Sequence, residues 1–131
     1  MSGITDLEQL LGALNPQLVA GEFVFCCVEG PLSEWGPLQP VATFREAEGL
    51  TLVLPKAEAA RAGLGFEGVF RQITLRVHSS LAAVGLTAAV AAQLASRGIS
   101  ANVLAAYYHD HIFVPAERAA EALQALGELT G

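Results

Sequence analysis

Positive charge is scarce in this chain. Seven Lys and Arg stand against thirteen Asp and Glu, leaving a net charge of −6. The basic residues are scattered, which excludes the cationic footprint that phosphate neutralisation requires, so no nucleic acid is expected as a partner. Cysteine is nearly missing: Cys26 and Cys27 are adjacent within Phe23-Val24-Phe25-Cys26-Cys27-Val28. Neither a CxxC spacing nor a helix N-terminus is present to lower a thiol pKa, so both read as reduced core thiols. Long apolar runs are also lacking. A membrane span needs about 20 mostly apolar residues, and the best stretch, Leu81 to Ala95, is interrupted by Gly85, Thr87 and Gln93. The opening residues show no basic segment followed by an apolar run, so no secretory leader is expected, and a cytoplasmic location without a membrane partner follows.

Hydrophobic residues make up 53% of the 131 positions and charged residues 15%, which excludes a disordered chain. At this length one compact body with one main core is expected. Aromatics are few, at 7%, so Leu, Val and Ala must fill that core. The mean hydropathy of +0.46 is high for a lone monomer and points to surface buried in a homo-oligomer.

Thr5-Asp6-Leu7-Glu8 reads as a capping box, followed by Leu7, Leu10, Leu11 and Leu14 at helical spacing until Asn15-Pro16. Glu22 to Val28 suits a buried strand. Residues 29–42 hold Pro31, Pro37 and Pro40 with Gly30 and Gly36, predicting a long loop with Trp35 as a hydrophobic lid. Strands are expected at 43–46 and 50–54, then a helix from Pro55 to Ala62 closed by Gly63. Phe70 to Val77 alternates, with Ile73, Leu75 and Val77 on one face and Gln72, Thr74 and Arg76 on a wetter one. Leu81, Val84, Ala88, Ala91 and Leu94 predict a helix with Ser79 or Ser80 as its N-cap, ending at Arg97-Gly98. Ile99 to Tyr108 and His111 to Val114 read as strands around a His109-Asp110 turn, and Pro115 opens a last helix with Ala119, Leu123 and Leu126 inward. The connections between strands are too short for parallel crossovers, so the class is α+β with antiparallel sheets covered by helices.

The order strand, Val84-Gly85-Leu86 turn, helix, Gly98-Ile99, strand, strand, helix resembles an ACT domain of the kind in aspartate kinase regulatory tails, most closely over residues 70–128. Ala106-Tyr107-Tyr108-His109-Asp110-His111-Ile112-Phe113-Val114 is its most specific part, and it also resembles the paired ACT modules of animal arginine sensors. The first half, with Gly21-Glu22-Phe23-Val24-Phe25-Cys26, is similar to the module that precedes it in small bacterial two-module ACT proteins. The resemblance implies two ACT-like, ferredoxin-like modules, residues 1–68 and 69–131. It further implies a non-catalytic regulatory or sensory role, with an amino acid or similar small ligand held at an interface and no cofactor. The implied contacts are the turn Val84, Gly85 and Leu86, with Ser79, Asn102, Tyr108, His109, Asp110 and His111. Where arginine sensors carry an acidic contact near the turn, this chain has Ala82 and Ala83. A helix start near Gly85 offers free N–H groups to a carboxylate, and Asp110 offers a partner for an ammonium group.

Two other chemistries are open to these residues. His109 and His111 fall on one side of an extended segment, which with His78 would make a three-histidine zinc site for a metal-assisted enzyme, but no patterned carboxylate or cysteine accompanies them. His78-Ser79-Ser80 lacks the strand-turn-helix elbow of a serine nucleophile. Tyr107 and Tyr108 should lie on opposite faces of a strand, one in the core and one available to a ligand or subunit. Glu117 and Glu121 read as a solvated helix face. A purely structural homo-oligomer is the third reading.

Overall fold

The computed structural model describes residues 5–129. The opening residues 1–4, read for a leader, and residues 130–131, at the end of the second expected module, lie outside them. The elements are α1 (Leu7–Gly12), β1 (Pro16–Leu18), β2 (Phe23–Val28), α2 (Leu32–Trp35), β3 (Ala42–Glu46), β4 (Gly49–Pro55), α3 (Lys56–Arg61), β5 (Phe70–Leu75), α4 (Leu86–Ser96), β6 (Asn102–Ala105), β7 (Asp110–Pro115) and α5 (Ala119–Gly127), with single 3-10 turns at Gly36–Leu38 and Ala116–Arg118. The class is α+β, and the registered strand pairs are antiparallel. Among the described residues no helix is long and apolar enough to cross a membrane.

The chain packs as two compact units, residues 1–20 with 71–131, and residues 21–70. The expectation of one main core is therefore corrected: each unit has its own. In the first, Leu10 and Leu14 of the N-terminal segment join Ile73, Leu75, Val90, Leu94, Ile112, Val114 and Leu126. In the second, Val24, Cys26, Val28, Leu50, Leu52, Leu54 and Ala59 are closed over by Trp35, Leu38, Leu64, Phe66 and Val69. Burying a Leu or Val side chain contributes about 1.5–3 kcal/mol, so each cluster amply exceeds what short elements such as α1 could supply alone.

Each unit lines up its strands in the same order. In the first it is β1-β5-β7-β6, and in the second it is the leading residue of β5, Phe70, then β2-β4-β3. Numbered by sequence within each unit, with β1 acting as the closing strand of the first, both read 4-1-3-2. The repetition extends to residues: Leu52-Val53-Leu54-Pro55 and Ile112-Phe113-Val114-Pro115 each end a third strand, and each is followed by a helix in which the alanine four residues after the proline, Ala59 or Ala119, is buried.

Several expectations change on inspection. The cap of α1 is Asp6, whose Oδ1 accepts from the Gln9 N–H at 3.2 Å, and the helix stops at Gly12. Asn15 then takes a left-handed turn (φ 45) and Pro16 starts a strand instead of merely ending a helix. Segment 29–42 contains α2 and a 3-10 turn, with Trp35 Nε1 donating to the Glu29 carbonyl at 2.9 Å while its ring covers the core. Cys26 is buried, which pushes its thiol pKa up, but Cys27 is exposed and is not a core thiol. Thr74, assigned to the wetter face, is buried.

The largest shifts surround α4. The helix begins at Leu86, not near Leu81, and its N-cap is Gly85, not Ser79 or Ser80. Leu81 and Val84 matched the helical spacing, but both are exposed in the connection before it. There, local hydrogen bonds from Ala82 N–H to Ser80 Oγ and Ala83 N–H to the Ser80 carbonyl, both 3.0 Å, hold a turn. Strand β6 ends at Ala105. Tyr107 and Tyr108, not His109 and Asp110, form the reversal, which the Ala106 N–H closes on the His109 carbonyl at 3.0 Å. Both tyrosines are exposed, with their rings edge to face 5.0 Å apart, so neither is a core residue.

Candidate functional site

The connection from β5 to α4 and the reversal from β6 to β7 enclose a cleft of about 60 Å³, lined by Ser79, Ser80, Leu81, Ala83, Leu86, Thr87, Ala105 and Asp110. The first turn of α4 opens into it. Gly85 makes that turn possible: its φ of 100° is left-handed, and a Cβ there would lie 3.2 Å from Leu7 Cδ2. The first helical hydrogen bond runs from Ala89 N–H to the Gly85 carbonyl at 2.9 Å. No side chain caps the helix, so the preceding amides carry its positive dipole end unpaired by a cap.

Asp110 faces this helix end from the first position of β7. Its position follows from strand alternation: Asp110, Ile112 and Val114 share the buried face. Counted back from the proline, the corresponding residues of the other unit are Leu50, Leu52 and Leu54, all core. An aspartate thus occupies a place that packing alone fills with leucine. It is 7% exposed, and it borders the cleft. Burial holds its pKa above the ordinary carboxylate value, an effect that the neighbouring His111 and His109 partly offset. Ser79, 6% exposed, is the other buried polar side chain of the lining.

The histidines are engaged elsewhere. His109 Nδ1 donates to the Val77 carbonyl at 3.1 Å, tying the reversal to the connection after β5. His111 Nδ1 lies 2.9 Å from Thr74 Oγ1 and 3.2 Å from Gln72 Nε2. The amide nitrogen can only donate, so in this arrangement Nδ1 accepts and the imidazole is neutral. Burial is the main cause lowering its pKa, followed by the like charge of His109. Asp110 opposes the shift and Arg76 adds to it. His78 packs its ring 5.0 Å from that of Tyr108. Among the described residues no three His, Cys, Asp or Glu side chains form a metal-holding group, so the three histidines do not assemble the zinc site that their spacing raised.

Of the predicted contacts, Ser79, Leu86 and Asp110 line one cleft and Gly85 caps the helix that forms its wall. Val84 is 83% exposed just outside it, and Tyr108 lies in the exposed reversal. Asn102, His109 and His111 are not in the lining; Asn102 Nδ2 donates to the Phe113 carbonyl at 3.3 Å. Thr87 and Ala105 are lining residues that were not among the predicted contacts, and Ala83, noted where arginine sensors carry an acidic contact, lines the cleft too. Small side chains facing a cleft have no motif, although Ala105 could have been located from its pairing with Asp110.

Residues 2–71 and 68–128 each match a family model described as an ACT domain. The chain is 59% identical to a Vibrio cholerae protein of unknown function described as a possible transport protein, whose crystal structure superposes with a TM-score of 0.89 over 99% of this chain and 100% of that one. The ligand-free regulatory subunit of aspartate kinase from Thermus thermophilus superposes with a TM-score of 0.67 at 15% identity, over 89% and 97% of the two chains. Aspartokinase III of E. coli, in complex with aspartate and ADP, gives 0.64 at 12% identity, over 87% of this chain and 32% of that one. The two kinase likenesses establish a shared fold of ACT-type, ferredoxin-like modules. No curated protein matches the chain.

Proposed function

The chain belongs to the ACT-domain family, and on that footing we propose that it is a non-catalytic regulatory module that binds an amino acid in the cleft between Asp110 and the start of α4. One observation carries the reading: an aspartate lining the cleft stands where the repeated strand elsewhere has a core leucine. Burial makes the charged form of this carboxylate less favourable, and a cationic group entering the cleft would offset that. The free amides opening α4 supply the complementary end for a carboxylate. Ligand contact is assigned first to Ser79, Leu86 and Asp110, with Gly85 allowing close approach. Val84 and Tyr108 form the outer rim, and His109 and His111 hold the strand and reversal that present Asp110.

The same proposal places the protein in the cytoplasm as a homo-oligomer, without nucleic-acid or membrane partners, and sets the repeat boundary at 68/69. The low charge and high hydropathy support the assembly and the absence of polyanion binding. A thermal-shift screen of the full chain against the twenty amino acids tests the binding reading. A ligand at 100 times its Kd should add about 2.7 kcal/mol of stability, and Asp110→Ala should remove that response. A screen without any amino-acid response, or a response that survives Asp110→Ala, overturns it.

A further inference from the structure

The N-terminal arm, up to Ala20, packs with a unit that otherwise begins at Arg71, and its two elements are attached differently. Backbone bonds fix β1. It pairs with β5 over Pro16–Leu18, Val19 N–H donates to the Gln72 carbonyl at 2.8 Å, and Arg76 N–H donates to the Asn15 carbonyl at 3.2 Å. Arg71 Nη2 adds a bond to the Val19 carbonyl at 3.1 Å. The hydrogen bonds of α1 run within it, from Leu10 N–H to the Asp6 carbonyl at 2.9 Å and from Ala13 N–H to the Gln9 carbonyl at 3.1 Å. Leucines hold it down: Leu10 and Leu14 are fully buried, and Leu7 and Leu11 pack on the same cluster. Between the two elements Asn15 turns left-handed, so a dihedral change at that one residue lifts α1 and leaves β1 in place. Six residues are well short of the ~12–15 that a helix needs to stand alone in water, so α1 is helical only while docked.

What α1 docks on is the turn that opens α4. Leu7 Cδ2 stands 3.2 Å from where a Cβ on Gly85 would lie, so the leucine covers the glycine directly. One residue on, Leu86 is shared: it lines the cleft and belongs to the cluster that Leu10 and Leu14 complete. Lifting α1 uncovers Gly85 and Leu86 and frees the first bond of α4, from Ala89 N–H to the Gly85 carbonyl. We propose that α1 is a releasable strap whose docking holds the start of α4 in place, and that its docking and release report whether the cleft is occupied. The second part rests on the reading of the cleft as a ligand site. A ligand that bonds the first amides of α4 favours the formed helix start, and by linkage it favours docked α1.

Amide hydrogen exchange on the full chain tests the strap without any ligand. Asp6→Ala removes the exposed cap of α1. It should speed exchange of the Leu10 and Ala13 amides about fivefold, and that of the Ala89 amide with them, while β6 and β7 amides keep their rates. Gly85→Ala drives a Cβ into Leu7 and should speed the same α1 amides from the other side, by more than Asp6→Ala does. Faster exchange in α1 with Ala89 unmoved in Asp6→Ala overturns the strap, and so does a uniform rise that includes β6 and β7. An equimolar mixture of the twenty amino acids then tests the report: the Leu10, Ala13 and Ala89 amides of the unaltered protein should exchange severalfold more slowly in its presence. If the mixture raises the melting temperature and leaves α1 exchange unmoved, the cleft binds but α1 does not report it. If it does neither, the reading of the cleft fails and takes the report with it, while the two variants alone decide the strap.

Discussion

The two compact units share a strand order and a proline-ended third strand, but they differ at one core-facing position. In residues 21–70 it is Leu50, buried among Val24, Cys26 and Val28. In the other unit it is Asp110, buried beside an uncapped helix start. The helix that follows the first strand differs in parallel. After β2 it is the four-residue α2, reached through Gly30 and Pro31. After β5 it is the eleven-residue α4, reached through a ten-residue connection ending at Gly85. One copy of the fold is closed by apolar side chains. The other gives up a leucine and a direct connection, and what it gains is an anionic group facing a positive helix end. The comparison separates what the architecture requires from what has been added to it.

Exchanging the two residues tests this most directly. Leu50→Asp places a carboxylate in a core with no helix start or cation to receive it, and should cost about 4 kcal/mol or more. Chemical denaturation should show the loss, with the variant largely unfolded without denaturant. The reverse change is smaller and opposite in sign. Asp110→Leu restores the apolar pattern of Leu50, Leu52 and Leu54, and should raise the stability of the unliganded protein by about 1–3 kcal/mol while abolishing the amino-acid response. A stabilised Asp110→Leu that still binds would show that the substitution between repeats is unrelated to ligand. A destabilised one would show that the aspartate has a structural partner.

The class and most of the elements were legible from periodicity, because β2 and β4 are apolar runs with glycine or proline close to their ends, β5 alternates apolar with polar residues, and α5 has a regular buried face. What escaped was set by tertiary context. The strand Pro16–Leu18 is too short to show alternation, and it is stabilised by pairing with Leu75, Thr74 and Ile73, far away in sequence. Leu81 and Val84 have the right spacing for α4 but precede its glycine cap, so the periodic signal ran one and a half turns past the true start. Asp110 was visible as an acidic residue, yet its burial was not. Aligning Leu54-Pro55 with Val114-Pro115 would have exposed the leucine-to-aspartate exchange, since both strands keep a period of two. The division of the core was the least legible feature, because nothing local marks residues 1–20 as packing with 71–131.

The smallest expected effect concerns pH, and it sharpens the contrast from the other face of β7. His111 is neutral in its bond network with Thr74 and Gln72, and protonation would set a second donor against the Gln72 amide. Its folded pKa is lowered below the ordinary 6.5, so the unfolded chain binds a proton before the folded one does. Stability is therefore undiminished by this group above pH 6.5, starts to fall as the pH drops through that value, and has lost the full contribution below the folded pKa. Asp110 has the opposite sign. Its folded pKa is raised above 3.8, so the cost of its buried charge is present at neutral pH and is relieved as the pH falls through the raised value. In His111→Gln, melting temperature should decline less between pH 7 and pH 5 than in the unaltered protein, and in Asp110→Asn the relief at lower pH should vanish. The two groups are neighbours on one strand, so the double variant should show a flatter stability profile than either single change. A profile for His111→Gln that coincides with the unaltered one would mean that the imidazole is solvated in the folded protein and takes no part in holding Asp110 in place.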